Sequence, residues 1–303
     1  MQALLLTAGL GTRLDPITRL LAKPAVPLGN ATLVEHVIAW LRSQGITDLV
    51  LNLHHRPESL TAVVGDGQHL GVRVRYSWEQ PVLGSAGGPR HALPLIDSDP
   101  FLIINADTLC DMELQPMIDA HLASGADVTM AVVPNPAPDH YNGIAADVDR
   151  QVLGFVPRGR SSGTWHYIGA QVVNARVFAD LPDGVISETV GGIYPEMAVS
   201  RPGSIRIWPT DATFLDVGTP RDYLAAALRR GGAGAVAGVT NSVVWAGVQI
   251  EPGASVADCI VAGPVHLPAD FRAHLSIIMP ATAVRSGDRA EIRGDVAVFP
   301  LGK

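Results

Sequence analysis

Cysteine is scarce in this chain, which has only Cys110 and Cys259 among its 303 residues. The two lie far apart and fit neither the spacing of a zinc site nor that of a disulfide framework, so the reducing cytoplasm is the expected location. Basic runs are also missing, and 22 lysines and arginines against 29 acidic residues give a formal net charge of -7. This balance argues against nucleic acid and an anionic membrane as partners.

Long hydrophobic runs are absent as well. The apolar N-terminus is too short to span a bilayer, and it lacks the basic leader and the small-residue cleavage site of a secretory signal. We therefore interpret it as the first strand of a buried core. Hydrophobic residues make up 47% of the chain, which is enough for one large domain and a smaller one.

The most informative stretch follows that first apolar run, and we call residues 9–24 the signature loop. Two glycines after a buried strand, Gly9 and Gly11, allow backbone N–H groups to approach the oxygens of a triphosphate. Arg13 and Lys23 add positive charge that can neutralise a departing pyrophosphate. A plain turn is one alternative, and a dinucleotide-binding loop is another, but Leu14 occupies the position of that loop's third glycine.

Apolar segments alternate with helical patterns through the first hundred residues. Strands are predicted at 47–53 and 72–77, and helices from about 33 to 44 and over 57–64. Repeated β-α-β order predicts an α/β fold whose parallel sheet is covered on both faces, with ligands bound at the carboxyl ends of the strands. From about residue 126 the pattern predicts strands at 128–133, 144–148, 151–156 and 165–173 that extend the sheet.

The signature loop together with Pro27-Leu28 closely resembles the signature of the sugar-1-phosphate nucleotidyltransferases, also called NDP-sugar pyrophosphorylases. Within that family it is most similar to the bacterial mannose-1-phosphate guanylyltransferase-like and N-acetylmuramate-1-phosphate uridylyltransferase-like enzymes. The resemblance extends from residue 1 to about 230. It implies a Rossmann-like α/β catalytic domain over residues 1–232 with a mixed, mainly parallel sheet.

The resemblance also implies which residues contact the nucleoside triphosphate. Arg13 and Lys23 would be the catalytic residues, acting on the triphosphate and on the leaving pyrophosphate. The Gly-rich segment 79–88 matches a family segment that lies along the nucleobase, and it looks most like that of the guanylyl-transferring members, although an ordinary capped loop is the alternative. The implied nucleotide contacts are Leu6, Ala8, Gly9, Gly11, Thr12, Gln80, Gly84 and Ser85.

Two aspartates are implied as ligands of Mg²⁺. A carboxylate at the end of a buried strand, such as Asp107, is costly to desolvate unless something pairs with it, and a hard cation would do so. The Asn-Ala-Asp ending at Asp107 and the motif around Asp216 both match places where the family binds its metal. Helix capping is the alternative for Asp107, and Asp111 is interpreted as a cap of the helix expected near Glu113.

The sugar phosphate is expected on the extension of the sheet. The family's Phe-x-Glu-Lys-Pro segment corresponds here to residues 155–159, where Pro157 replaces the acidic residue and Arg158 replaces the lysine. An arginine still binds phosphate, but with a different geometry. Strand packing and helix capping are equally good explanations for two of the implied sugar-phosphate contacts, Gly169 and Glu188. The full implied set is Asn105, Gly143, Arg158, Gly169 and Glu188.

A small-residue stretch at 231–235 is predicted to be a domain boundary. Beyond it, aliphatic residues recur in short steps with glycines between them, which resembles the hexapeptide repeats of a left-handed β-helix over residues 233–303. Similar appendages in the family support oligomers or regulation, so a homo-oligomer formed through this segment is one expectation. A simple cap on the catalytic domain is the other.

The implied reaction is attack by the phosphate of a sugar 1-phosphate on the α-phosphorus of a nucleoside triphosphate, which releases pyrophosphate. A phosphate monoester with a second pKa of about 6 is largely dianionic at neutral pH, so no general base is needed. GTP with mannose 1-phosphate or a related sugar phosphate is the first expectation, and uridylyl transfer to N-acetylmuramate 1-phosphate or a similar acceptor is an alternative. A non-catalytic subunit that binds nucleotide sugar is a further alternative. An acyltransferase is disfavoured because the repeat segment is short.

Overall fold

The computed structural model describes residues 1–231 and 236–302. They form two compact units. The first contains Met1–Gly9, Glu35–Pro57 and Val64–Leu215, and the second contains Leu10–Val34, Glu58–Val63 and the described part of Asp216–Lys303. The predicted boundary between residues 232 and 233 lies outside the described ranges, as does the small-residue stretch around it except for residue 231, so that boundary remains a prediction.

The first unit is built on a nine-stranded sheet. Its strands in chain order are Ala3–Leu6, Asp48–Leu53, Arg73–Trp78, Phe101–Asn105, Val128–Pro134, Gly143–Ala146, Val152–Val156, Trp165–Val173 and Ile205–Pro209. Three pairings among the first four of these strands are parallel. Ala3–Leu6 lies between Asp48–Leu53 and Phe101–Asn105, and Arg73–Trp78 pairs with Asp48–Leu53. These four strands are the parallel centre that the repeated β-α-β order predicts.

The rest of the sheet is mixed. Trp165–Val173 runs antiparallel to both Phe101–Asn105 and Val128–Pro134, and Ile205–Pro209 adds a parallel strand next to Val128–Pro134. The strand predicted over 144–148 ends at Ala146 because Asp147 turns the chain, accepting a hydrogen bond from the N–H of Gln151 at 2.8 Å. The predicted α/β fold with a mixed sheet is confirmed.

One face of the first helix, Leu33–Ser43, consists of buried apolar side chains. Val34, Ile38 and Leu41 lie at helical spacing on the first helix and are all at most 1% exposed. That helix ends before Gly45, whose φ of +78° is a conformation in which glycine is favoured. No helix among the described residues has the length and apolar character needed to cross a bilayer. The seven α-helices described are Leu33–Ser43, Pro57–Val64, Gly84–Ala92, Gln115–Ser124, Arg176–Ala179, Tyr194–Ser200 and Pro220–Arg229.

The second unit contains a three-sided solenoid. Residues seventeen apart in sequence pair in parallel on each side, as Val239 with Val256, Val243 with Ile260 and Gln249 with His266. Aliphatic side chains such as that of Leu267 fill the interior. The strand-rich C-terminal segment predicted from the repeats is confirmed. Its strands are Val239–Thr240, Val243–Val244, Gln249–Ile250, Ser255–Ala257, Ile260–Val261, His266–Leu267, Arg272–His274, Ser276–Pro280, Glu291–Arg293 and Val296–Pro300.

Within this unit one arginine joins the signature loop to the C-terminal segment. The side chain of Arg19 is 8% exposed, and its guanidinium contacts the carboxylates of Asp15 and Asp288. It also donates to the carbonyl of Ala283 at 3.0 Å and lies 5.5 Å from the ring centre of Phe299. The hydrogen bond from Arg19 is the main reason that the pKa of Asp288 is lowered to about 2.

We expect Asp288→Asn to lower the Tm by at least about 2 °C at pH 7, because Arg19 loses one of its two carboxylate partners. A carboxylate whose pKa is depressed by folding stabilises fully above its unfolded pKa of about 3.9. The Tm difference from wild type should therefore persist from pH 7 down to about pH 5. Differential scanning calorimetry checks this, with the exposed Glu291→Gln in the same segment as the control. Equal Tm values for Asp288→Asn and wild type would contradict it.

Candidate functional site

Three of the candidate residues meet at the carboxyl edge of the first unit's parallel strands. Leu6 pairs with Asn105 where two neighbouring strands end. Gly169 has a φ of +85°, and a Cβ built on it would lie only 3.0 Å from the Cβ of Asn105. Gly169 also falls where the pairing of its strand with Val128–Pro134 shifts register. Close packing therefore requires glycine at this position.

Asp107 occupies a two-residue turn between the strands Phe101–Asn105 and Thr108–Cys110. It is half-buried, and the hydroxyl of Thr108 lies 3.3 Å from its Oδ1. The alternative role as a helix cap does not apply, because the next helix has Leu114 as its N-cap residue and no capping hydrogen bond from a side chain.

The interpretation of Asp111 as a helix cap is wrong. Its carboxylate accepts hydrogen bonds from the backbone N–H of Thr213, at 2.9 Å, and from the hydroxyl of the same residue. The sequence pattern suggested a cap because Asp111 precedes a helix. In the structure residues 111–114 form neither strand nor helix, and the helix begins only at Gln115, with Leu114 as its N-cap residue.

Candidates for nucleotide and for sugar binding are in contact at the start of the helix Gly84–Ala92. The Glu188 carboxylate accepts from the N–H of Ser85 at 3.1 Å and from its hydroxyl at 2.5 Å. Gly84 has a φ of +80°, and a Cβ there would lie 2.6 Å from Oε1 of Glu188. A carboxylate is stabilised at the positive end of a helix, so Glu188 performs the capping role that was its alternative assignment.

The other first-unit candidates lie on the extension of the sheet or on exposed turns. Gly143 is buried, and a Cβ there would lie 1.9 Å from Oγ1 of Thr164, so packing alone accounts for this glycine. Arg158 is exposed on a turn held by a 2.9 Å hydrogen bond from its N–H to Oδ1 of Asn142. Gln80 is likewise exposed.

The signature loop folds in the second unit as three short 3₁₀ turns, Thr12–Leu14, Ile17–Arg19 and Lys23–Ala25. Gly11 has a φ of +62°, and a Cβ there would lie 2.8 Å from Cγ2 of Thr18 and 3.2 Å from Cβ of Lys23. Lys23 is only 7% exposed, whereas Thr12 and Arg13 are exposed. The absence of a side chain at Gly11 thus lets the loop close on the stem of Lys23.

A cation and two carboxylates converge around Gly218. A Cβ built on Gly218 would lie 3.1 Å from Nη1 of Arg13 and 3.2 Å from one carboxylate oxygen each of Asp216 and Asp222. Asp222 also completes a capping box with Thr219 at the start of the helix Pro220–Arg229. The candidate catalytic arginine and one candidate metal ligand are therefore close together in this unit.

Three polar residues at these places are absent from the candidate set derived from the sequence. Asp222 carries a signal in the Thr-x-x-Asp spacing of a capping box. Asn52 and Glu79 are 3% and 4% exposed and are hydrogen-bonded to each other. Their signal is weaker, because it consists of one amide inside an apolar strand and one acid directly after the next strand.

The donor chemistry of the candidate metal ligands fits Mg²⁺. Carboxylate oxygens are its preferred protein ligands, and it is commonly held by one or two of them together with substrate phosphates. Within residues 1–231 and 236–302 no group of three or more His, Cys, Asp or Glu side chains is arranged to hold a metal ion. Asp107 in the first unit and Asp216 in the second each supply a carboxylate of this kind.

Comparison with known proteins points to one family. A family model described as Nucleotidyl transferase matches residues 2–230. A mannose-1-phosphate guanylyltransferase of Mycobacterium tuberculosis is 27% identical over 276 residues, which are 87% of this chain and 75% of the relative. A mannose-1-phosphate guanyltransferase of Candida albicans is 31% identical over 235 residues. That alignment covers 74% of this chain and 63% of the relative, so the chain spans less than two thirds of the fungal protein.

A solved structure shares the fold. A crystal structure of HddC from Yersinia pseudotuberculosis, complexed with GMP-PN, matches with a TM-score of 0.66 at 24% sequence identity, over 75% of this chain and 98% of that chain. This likeness agrees with the mixed α/β sheet of the first unit. The family model covers well over half of the residues. On that match, the chain belongs to the nucleotidyl transferase family.

Proposed function

We propose that the chain transfers a nucleotidyl group from a nucleoside triphosphate to a sugar 1-phosphate, with GTP and mannose 1-phosphate as the best substrates. The observation that carries the proposal is the placing of Arg13 beside Asp216 around Gly218. A cation for phosphate and a carboxylate for a metal ion are the two groups that nucleotidyl transfer requires from a protein. The cytoplasm is the expected site of this activity.

In the proposed reaction an oxygen of the sugar phosphate forms a bond to the α-phosphorus, and the bond from that phosphorus to the bridging oxygen breaks. Pyrophosphate leaves with the electron pair of the broken bond. The attacking phosphate is largely dianionic at neutral pH, so no proton has to be removed from it. The protein's task is to align two polyanions and to neutralise their charge.

Arg13 and Lys23 are assigned to the triphosphate and the leaving pyrophosphate. An exposed arginine can bind two phosphate oxygens at once, whereas a lysine held by a close turn provides a localised charge. The backbone of Leu6, Ala8, Gly9, Gly11 and Thr12 would follow the nucleotide. When bound, Mg²⁺ would supply further charge neutralisation through Asp107 and Asp216.

On the sugar side we assign Asn105, Gly143, Arg158, Gly169 and Glu188. Asn105 and Gly169 are supported by their adjacency at the carboxyl edge of the sheet. Glu188 can serve the sugar only if it exchanges its hydrogen bonds to Ser85 for bonds to sugar hydroxyls. On the base side, Gln80, Gly84 and Ser85 are assigned to the nucleobase.

The choice of guanine and mannose rests on the names of the mycobacterial and fungal relatives and on the resemblance of segment 79–88. Uridylyl transfer to N-acetylmuramate 1-phosphate remains the second candidate. A non-catalytic subunit that binds nucleotide sugar is the third. It is supported by Pro157 and Arg158, which replace the family's acidic residue and lysine.

The deciding experiment is pyrophosphate release with Mg²⁺ over a grid of five nucleoside triphosphates and five sugar 1-phosphates. The sugars are mannose, glucose, N-acetylglucosamine, N-acetylmuramic acid and heptose. One strong combination would identify base and sugar together. A folded protein that binds nucleotide sugar but releases no pyrophosphate in any combination would favour the regulatory subunit.

We expect Arg13→Ala to lower kcat about a hundredfold or more, the scale for removing one donor that stabilises developing charge. Initial rates of pyrophosphate release with the best substrate pair measure this. Arg272→Ala, which removes an exposed arginine on a solenoid strand of the same unit, is the matched control and should retain its rate. A rate near wild type for Arg13→Ala would remove Arg13 from the mechanism.

We expect Asp107→Asn to abolish Mg²⁺-dependent turnover at ordinary Mg²⁺ concentrations while the Tm changes little, because an amide is a poor ligand for a hard cation. A titration of activity against Mg²⁺ tests this and also reveals any activity recovered at high concentration. Asp119→Asn, an exposed acid on the helix Gln115–Ser124, is the control. If Asp107→Asn kept the wild-type dependence of activity on Mg²⁺, Asp107 would have a role only in the turn and none in metal binding.

A further inference from the structure

Two buried polar side chains of the first unit carry an inference of their own. Asn52 lies in the strand Asp48–Leu53, opposite Ser77 of the neighbouring strand, and Glu79 follows that neighbour. They are 3% and 4% exposed. A carboxylate and an amide that are removed from water are costly unless each polar atom has a partner.

Their hydrogen bonds connect two separate segments. Oδ1 of Asn52 accepts from the N–H of Thr7 at 2.6 Å and from that of Ala8 at 3.3 Å. Nδ2 of Asn52 donates to Oε1 of Glu79 at 2.6 Å, and Oε2 of Glu79 accepts from the N–H of Leu83 at 2.8 Å. The strand end that leads into the signature loop is thereby tied to the turn before the helix Gly84–Ala92.

The backbone groups at the two ends of this connection determine which side chains must donate and which must accept. Thr7, Ala8 and Leu83 offer only backbone donors to it. Two side chains that connect backbone N–H donors at both ends must accept at each end and also bond to each other. One of them must therefore both accept and donate, and the other must accept with two atoms. An amide at position 52 and a carboxylate at position 79 meet that requirement.

The helix packs directly against the pair. A Cβ built on Gly88 would lie 2.6 Å from Oε1 of Glu79 and 2.9 Å from Nδ2 of Asn52. Even a methyl group at this position would displace one of the two side chains. Glycine is therefore required at position 88 by the hydrogen bond between Asn52 and Glu79.

We propose that Asn52 and Glu79 are positioning residues that hold two backbone segments in a fixed relative arrangement for the nucleotide. One is Thr7 and Ala8, which lead into the signature loop, and the other is Leu83 at the start of the helix Gly84–Ala92. The proposal rests on the proposed function, since both segments carry residues assigned to the nucleoside triphosphate. Neither side chain has to touch the substrate. They act by fixing the backbone at Thr7 and Ala8 against the backbone at Leu83.

Single substitutions should each break one bond of the connection. In Asn52→Asp a second carboxylate oxygen faces Glu79, so a hydrogen bond is replaced by repulsion. In Glu79→Gln one of the two oxygens becomes a donor and faces either Asn52 or the N–H of Leu83, which are both donors. Both variants keep the size and shape of the original side chain.

The double variant Asn52→Asp/Glu79→Gln should restore every bond, and only the bond between positions 52 and 79 should be reversed in direction. The aspartate would accept from Thr7 and Ala8 with one oxygen and from the glutamine amide with the other. The glutamine oxygen would then accept from Leu83. A gain of function in the double variant over both single variants is a result that general destabilisation does not produce.

The experiment measures the Kd of GTP and of UTP by calorimetry, well below the Tm of each variant, together with hydrogen exchange of the peptides that contain residues 7–8 and 83–88. We expect each single variant to weaken binding of the preferred nucleotide about tenfold or more and to speed exchange in both segments. The double variant should return to within about threefold of the wild-type Kd. Gly88→Ala should weaken binding in the same direction if a single variant fails to fold.

The control is Asn174→Asp, which breaks a hydrogen bond from Nδ2 to the carbonyl of Ala126 elsewhere in the first unit. It should lower the Tm and leave the Kd unchanged. The inference would be overturned if the single variants folded and kept the wild-type Kd and exchange rates. It would also be overturned if the double variant lost as much nucleotide affinity as the two single variants together. A third outcome separates this inference from the proposed function. If the single variants altered hydrogen exchange, the double variant restored it, and the wild-type chain bound no nucleotide, the coupling between the two segments would stand and the proposed function would be refuted.

Discussion

The parallel pairing of Ala3–Leu6 with Asp48–Leu53 and Phe101–Asn105 is the constraint on which the candidate site of the first unit depends. Parallel strands end at the same edge of a sheet, so their carboxyl ends bring Leu6, Asn52 and Asn105 to neighbouring positions. The backbone that leaves this edge no longer has a strand partner. Its N–H groups at Thr7 and Ala8 are satisfied by Asn52, and the amide of Asn52 in turn needs Glu79.

In the second unit, contacts between arginines and carboxylates fix the signature loop. The two arginines of the signature loop, one exposed and one buried, are each placed against carboxylates of the same unit. Arg13 lies near Asp216 and Asp222, while Arg19 joins Asp15 to Asp288. The solenoid segment therefore supplies a direct anchor for the loop through Asp288, which assigns it a structural role whether or not it also mediates association.

Much of the fold could be predicted from local patterns. The helix Pro57–Val64 and the strand Trp165–Val173 have the predicted bounds, because proline starts the former and the latter is rich in aromatic and β-branched residues. The site was predicted through motifs, which identify residues by their order in the chain. Asp111 shows the limit of that approach, since its partner Thr213 lies about a hundred residues away and no local pattern reveals such a contact.

The sequence by itself determined the α/β fold, the position of the signature loop after the first strand and the family to which the chain belongs. These depend on periodicity and on residues close together in the chain. Only the tertiary structure decided which polar groups come together: Glu188 with Ser85, Asn52 with Glu79, and Arg13 and Asp216 around Gly218. The physical reason is that a hydrogen bond or an ion pair depends on distances of about 3 Å between atoms, which chain order does not specify.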